Sequence, residues 1–201
     1  RPRRFGKTLT MSMMESFFDI NRDSRESFEG LDILSHPEFC AKWMNQYPVL
    51  FISFKDVEGL DFEGAYGMLK DTLASLCKKH VYLRGSEKVL DEDKKIFNRL
   101  ISQNAKPEEI KTSLVTLMRM MYALHERPAI LLIDEYDVPL AKAEGSKDKE
   151  FYRKMLDVIR GMMSTSLKTN EYLRFAVITG CLQISKESIF TGVNNFACYS
   201  V

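Results

Sequence analysis

Gly6, Lys7 and Thr8 stand directly before a predicted helix and have the residue types and order that bind phosphate. A glycine lets the backbone approach a phosphate closely, and the amide groups at the start of a helix carry partial positive charge. The lysine ammonium reaches the β- and γ-phosphates of a nucleotide, and the threonine hydroxyl ligates Mg²⁺. The complete motif has a glycine where this chain has Arg1, so the match is partial. Taken alone, the three residues are explained equally well by a glycine turn with a solvated lysine.

Asp134 and Glu135 follow a run of four aliphatic residues, at 130–133. This order places Asp134 at the carboxyl end of a buried strand, where open α/β sheets bind their ligands. An aspartate there can hold Mg²⁺ directly or through water. The adjacent glutamate can orient and deprotonate the water that attacks a γ-phosphate. The alternative is a buried strand that ends in solvated acids, but the order of the two motifs favours nucleotide chemistry.

Thr179 ends another predicted strand, the next one after the acidic strand. A hydroxyl in this position would lie beside the central strand and could sense the γ-phosphate. The signal is weak, because a threonine and a glycine at a strand end are also typical of a simple turn.

Arg3 and Arg4 concentrate positive charge next to Lys7. Phosphate neutralisation is the simpler explanation, and a basic patch for nucleic acid is the alternative. We also expect the backbone of Phe5 and Leu9, on either side of the glycine-lysine-threonine segment, to contribute to nucleotide binding.

The hydrophobic pattern predicts the elements that must position these residues. Three buried strands are predicted, at 48–54, Ala129–Asp134 and 174–180, separated by helical segments at 61–80, 91–103, 107–125 and 147–167. A further helix is predicted at 8–19, and 21–46 is predicted as a loop with short helical pieces. Strands that alternate with helices imply a parallel sheet in one α/β domain.

The composition excludes several classes of protein. Of the 201 residues, 45% are hydrophobic and 28% charged, which argues against intrinsic disorder, and 29 basic residues against 28 acidic ones give no general reason to expect a nucleic-acid or membrane surface. The four cysteines form no CxxC pair and indicate reduced thiols. No apolar run is as long as a membrane span, so we expect a cytoplasmic protein.

The segments RPRRFGKTL, FEGL, YPVLFISF, LLIDEYDVPL and VITGCLQISKESIFTGVNNF together resemble the AAA-ATPase-like family of bacterial and archaeal P-loop proteins. The resemblance implies a three-layer α/β/α P-loop NTPase fold of the ASCE type, with ATP and Mg²⁺ as its ligands. The strand order of that fold places Ala129–Asp134 between the other two predicted strands. Arginine-rich residues replace the first loop glycine in that family, so Arg1 fits. The resemblance assigns Lys7 and Thr8 to phosphate and magnesium, Asp134 to the metal and Glu135 to catalysis, and Thr179 matches a sensor more weakly.

Many members of the family carry a C-terminal restriction-endonuclease-like domain, which implies DNA or RNA as a partner of the longer protein. The chain begins at Arg1 without methionine and ends at Val201. We therefore expect residues 1–201 to be one partial domain that lacks strand 1 of the sheet and, alone, binds ATP poorly. Oligomerisation is compatible with this interpretation.

The predicted function is Mg²⁺-dependent ATP hydrolysis that drives a conformational change in a larger protein. Two alternatives stay open at this point. One is a nucleotide switch that hardly turns over, and the other is a nucleic-acid-binding module that uses the N-terminal arginines and Lys7.

Overall fold

The computed structural model describes residues 6–146 and 148–180. At its centre is a parallel sheet of three strands in the order β1 (Val49–Ser53), β2 (Ala129–Asp134) and β3 (Leu173–Ile178). Aliphatic and aromatic residues fill these strands, and a proline directly precedes each of β1 and β2, at the entry of the strand. The predicted parallel sheet with β2 in the middle is thus confirmed.

The helices cover both faces of this sheet and make it the middle of three layers. Helix α1 (Lys7–Phe18) covers one face, where Met11 packs against Val49, Ile130 and Leu132. The other face is buried under a larger layer that includes α3 (Phe62–Lys79), α4 (Asp91–Ile101), α6 (Ser113–His125) and α8 (Lys149–Leu167). Because side chains alternate along a strand, each strand contributes to both cores.

Three short helices were not predicted as separate helices by the hydrophobic pattern. Helix α2 (Pro37–Trp43) lies within the segment predicted as a loop with helical pieces, and α7 (Val138–Glu144) follows β2 without having been predicted. The helix predicted at 107–125 is two helices, α5 (Pro107–Lys111) and α6, separated at Thr112. The Thr112 hydroxyl bonds back to the Glu108 carbonyl at 3.0 Å, a local hydrogen bond that competes with continued helix.

Ion pairs join neighbouring helices of the thicker layer. Arg119 of α6 donates two hydrogen bonds to the buried Asp93 of α4. Arg99 of α4 donates to both carboxylate oxygens of Glu109 on α5, at 2.5–3.2 Å. No helix among residues 6–146 and 148–180 is both long and apolar enough to cross a membrane.

Candidate functional site

Three hydroxyl- or carboxyl-bearing residues lie side by side where the strands end. The register pairs Ser53 with Asp134, and the ladder continues past β3, where the Thr179 N–H donates to the Ile133 carbonyl at 2.8 Å. Ser53, Asp134 and Thr179 each lie two positions after a residue that faces α1. Because side chains alternate along a strand, all three lie on the α1 face of the sheet. The carboxyl edge of the sheet therefore presents a polar row toward the beginning of α1.

Asp134 is fully buried in this row and is held by two hydroxyl groups. Its Oδ2 accepts a hydrogen bond of 2.8 Å from Thr8 Oγ1, and its Oδ1 accepts one from Thr179 Oγ1. Burying a carboxylate is unfavourable unless its oxygens are hydrogen-bonded, and here both are. These two hydrogen bonds fix the carboxylate between the start of α1 and the end of β3.

Helix α1 begins at a glycine that has a left-handed backbone. Gly6 has φ 71° and ψ 18°, and its carbonyl accepts from the N–H and the hydroxyl of Thr10 at 2.8 and 3.0 Å. Glycine is favoured there because other residues adopt positive φ at an energetic cost. Among the described residues, no side chain caps this end, and the first turn of α1 contains no acid. The first amide groups of α1 can therefore bind an anion that approaches beside Lys7.

Glu135 turns the chain from β2 into α7 with an unusual backbone. Its φ is 54°, in the region that non-glycine residues adopt infrequently, and its carbonyl accepts from the Val138 N–H at 3.2 Å. The next N–H, of Tyr136, donates to the Thr179 carbonyl at 3.2 Å. This sharp turn directs Glu135 to the same cleft as the start of α1.

The cleft is open and has a volume of about 480 Å³, within the range of small-molecule sites. Three walls form it: the start of α1, the loop between β1 and α3, and the segment that runs from β2 into α7. The residues that line it are Gly6, Lys7, Thr8, Leu9, Lys55, Glu58, Glu135, Val138 and Lys142. Three lysines and two glutamates among them give the cleft a small excess of positive charge, as an anionic ligand requires.

Five of the residues singled out from the sequence line this cleft: Gly6, Lys7, Thr8, Leu9 and Glu135. Asp134 and Thr179 are not among the residues that line the cleft. Asp134 accepts a hydrogen bond from Thr8, which does line it, and Thr179 donates to Asp134 from behind. Arg3, Arg4 and Phe5 lie outside the described residues.

Sequence reasoning missed Lys55, Glu58 and Lys142, and also Ser53 beside Asp134. Ser53 and Lys55 were accessible to the rule that ligands bind at the carboxyl ends of strands, because both lie at the end of β1. Lys142 had no such signal, since α7 was not predicted.

The oxygen atoms beside Asp134 fit a hard divalent cation. Thr8 Oγ1 and Asp134 Oδ2 are 2.8 Å apart, close to the separation of about 3 Å between adjacent ligands of an octahedral Mg²⁺ site with bonds of about 2.1 Å. No group of three or more His, Cys, Asp or Glu side chains in the described part of the chain could hold a metal alone. One hydroxyl and one carboxylate are a donor set that suits Mg²⁺, which takes few protein ligands and keeps waters and phosphate oxygens.

A parallel sheet with helices on both faces, and a glycine-capped helix that starts opposite the acidic strand end, define a P-loop NTPase-like fold. The chain belongs to the AAA-ATPase-like family, whose model, described as "Predicted AAA-ATPase", matches residues 1–190. The resemblance inferred from the motifs is thus confirmed, and the family is associated in general with nucleotide binding and hydrolysis.

One curated relative extends over the whole chain. It is an "Uncharacterized protein in vnfD 5'region" of Azotobacter chroococcum mcd 1, 27% identical over 201 residues. The match covers 100% of this chain and 33% of the relative, so the chain spans about a third of the length of that relative. No solved structure matches the chain significantly.

Proposed function

We propose that this chain binds ATP together with Mg²⁺ and supplies the residues that hydrolyse it. The observation that carries the proposal is the Thr8–Asp134 hydrogen bond of 2.8 Å beside a cleft that Lys7 and Glu135 also line. A phosphate-binding helix start, a metal-binding oxygen pair and a candidate general base are thereby within one site. Family membership supports the same class of reaction.

The start of α1 binds the phosphates in this proposal. The amide groups after Gly6 donate to phosphate oxygens, and the Lys7 ammonium neutralises the charge on the β- and γ-phosphates. Arg3, Arg4 and the Phe5 backbone add charge and amide donors from the preceding segment. Leu9, whose residue surface is 66% exposed at the cleft, offers an apolar contact to the ligand.

Thr8 and Asp134 would hold Mg²⁺, which when bound neutralises charge that develops on the phosphates. The buried Asp134 carboxylate is kept in place by Thr179, so its orientation does not depend on the ligand. Thr179 is thus a positioning residue in this proposal, and a role in sensing the γ-phosphate would act through Asp134.

Glu135 acts as the general base. Its carboxylate accepts a proton from the attacking water and orients that water toward the γ-phosphorus. The turn that begins at its positive-φ backbone brings the residue to the cleft, which supports this role. We further propose that hydrolysis drives a conformational change in a longer protein, and that any DNA or RNA partner binds a different domain of it.

The experiment measures ATP binding by calorimetry and phosphate release by the full-length protein carrying this domain. Lys7→Ala should abolish binding, and Glu135→Gln should keep binding and lose turnover. Lys95→Ala, an exposed lysine on α4 that does not line the cleft, is the matched control and should change neither. Unchanged ATP affinity in Lys7→Ala would overturn the proposal.

Two other outcomes would identify the alternatives. Tight ATP binding with no turnover in the wild type, and no effect of Glu135→Gln, would indicate a non-hydrolysing switch. Steeply salt-dependent binding of DNA or RNA that ATP does not affect would indicate a nucleic-acid module.

A further inference from the structure

The cleft contains a lysine on α7 that the proposed phosphate-binding segment does not include. Lys142 lies one helical turn after Val138, and both line the cleft. The opposite side of α7 is anchored, because Leu140 and Ala143 are buried and the helix packs against α8. The backbone that carries Lys142 is therefore fixed, while its ammonium group faces the space opposite the start of α1.

Glu58 is held against Lys142 from the other wall. The loop before α3 is anchored on both sides of Glu58: Val57 is fully buried, and a Cβ at Gly59 would lie 2.4 Å from the Ala65 nitrogen. The Asp61 carboxylate then caps α3 by accepting from the Gly64 N–H at 2.8 Å. From this fixed loop, Glu58 Oε2 lies 2.7 Å from Lys142 Nζ.

The Glu58–Lys142 ion pair is exposed enough to be exchanged for another partner. The side chain of Lys142 is 56% exposed and that of Glu58 is 51% exposed, and ion pairs in such surroundings contribute little to stability. A polyphosphate carries several charged oxygens in one place and so offers a lysine more charge and more acceptors than one carboxylate does. Lys142 can therefore leave Glu58 for a polyphosphate without a large loss in stability of the fold.

We propose that Lys142 is a second polyphosphate-binding lysine of this cleft and that Glu58 competes with the ligand for it. The inference rests on the proposed function, and it names the triphosphate rather than the base as the part of the ligand that Lys142 recognises. Lys7 binds from the α1 wall, and Lys142 binds from the α7 wall, seven residues after Glu135 in the chain. Binding then releases the Glu58 side chain from Lys142, while the backbone of the β1–α3 loop stays in place.

The test is calorimetry of the full-length protein with Mg²⁺-ATP and, separately, with inorganic tripolyphosphate. Lys142→Met should weaken binding of both by about tenfold, and Lys142→Arg should keep most of the affinity. Glu58→Gln should tighten binding by about threefold because it frees Lys142. In the Lys142→Met background, Glu58→Gln should have no effect, since no lysine remains to be released.

Lys95→Met, which changes the net charge equally on α4, is the control and should leave both affinities unchanged. Equal tightening by Glu58→Gln with and without Lys142 would overturn the inference, because the effect would then be one of general charge. Loss of ATP binding without loss of tripolyphosphate binding in Lys142→Met would overturn it as well. If Lys142→Met binds ATP like the wild type while Lys7→Ala does not, this inference alone is wrong. If Lys7→Ala also binds ATP normally, the proposed function is wrong.

Discussion

Thr8 Oγ1 donates a hydrogen bond of 2.8 Å to Asp134 Oδ2, although 126 positions separate the two residues in the chain. The bond ties the first turn of α1 to the carboxyl end of the central strand. Since Asp134 is fully buried, the position of the helix start relative to the sheet is fixed at this point. A phosphate held by the first amides of α1 and a cation held by Asp134 would then be neighbours.

Removing the second donor to Asp134 should destabilise the fold. Thr179→Val keeps the shape of the side chain but leaves Asp134 Oδ1 without its hydroxyl partner. We expect a loss of about 1–3 kcal/mol in the free energy of unfolding, the usual result of depriving a buried acceptor of its donor. Urea denaturation followed by circular dichroism measures it. Thr72→Val, whose hydroxyl bonds only a carbonyl of its own helix, is the control, and an equal loss there would contradict the explanation.

The backbone of Glu135 predicts which of two inactive variants is the more stable. Glycine adopts φ 54° at a lower conformational energy than any residue with a Cβ. Glu135→Gly should therefore be more stable than Glu135→Ala by about 1 kcal/mol. Both variants should lose hydrolysis, because neither has a carboxylate. Thermal melts and phosphate release of the two proteins test the two statements separately. An alanine variant at least as stable as the glycine variant would show that the backbone is not strained there.

Replacement by alanine should lower the stability of the fold at Gly59 and raise it at Gly67. A Cβ on Gly59 would lie 2.4 Å from the Ala65 nitrogen and 2.8 Å from the Gly64 carbonyl carbon, both backbone atoms that cannot move aside cheaply. Gly67 lies in the interior of α3 with nothing within 4 Å of the added atom.

Gly59→Ala should therefore lower the free energy of unfolding by about 2 kcal/mol or more, as strained and overpacked sites do. Gly67→Ala should raise it by about 0.5–1 kcal/mol, through higher helix propensity and lower entropy of the unfolded chain. Denaturant titration of both variants measures the difference. A neutral Gly59→Ala would mean that the loop before α3 can move, and would also weaken the inference that Glu58 is held in place.

The pair between α4 and α5 should make stability depend on acidic pH. Hydrogen bonds from the Arg99 guanidinium hold the pKa of Glu109 below its ordinary value near 4.5, opposed by a smaller effect of burial. A carboxyl whose pKa is lower in the folded state stabilises the fold above its ordinary pKa and loses that contribution as pH falls through the lower value.

Glu109→Gln should thus lower the melting temperature at neutral pH, and the difference from the wild type should shrink below about pH 4.5. Glu108→Gln, at the exposed neighbouring residue, is the control and should show little difference at any of these pH values. A melting-temperature difference for Glu109→Gln that stayed constant down to about pH 3 would contradict the assignment of the effect to this ion pair.

The amino-acid sequence by itself determined the three strands and the two residues of the main polar contact, Thr8 and Asp134, whereas the order of the strands was implied by the family resemblance. Four consecutive aliphatic residues followed by Asp134 specify a buried strand with an acid at its carboxyl end, and Gly6 before Lys7 specifies a helix start. Both signals are local, because a strand buried on two faces and a glycine with its wider choice of backbone angles are recognised from adjacent residue types alone. The right order of two such signals was enough to predict that Thr8 and Asp134 lie close together.

Only the tertiary structure decided which other charges share the cleft. Glu58 and Lys142 are ordinary surface residues in the sequence, with no periodicity that marks them, and Lys55 was marked only by its place just after β1. These three residues line one cleft because of the path of the loop between β1 and α3 and the packing of α7 against α8. Both depend on contacts between residues far apart in the chain. The positive φ of Glu135 was likewise absent from the sequence signal, since it results from the turn that must join β2 to α7 and not from any preference of glutamate.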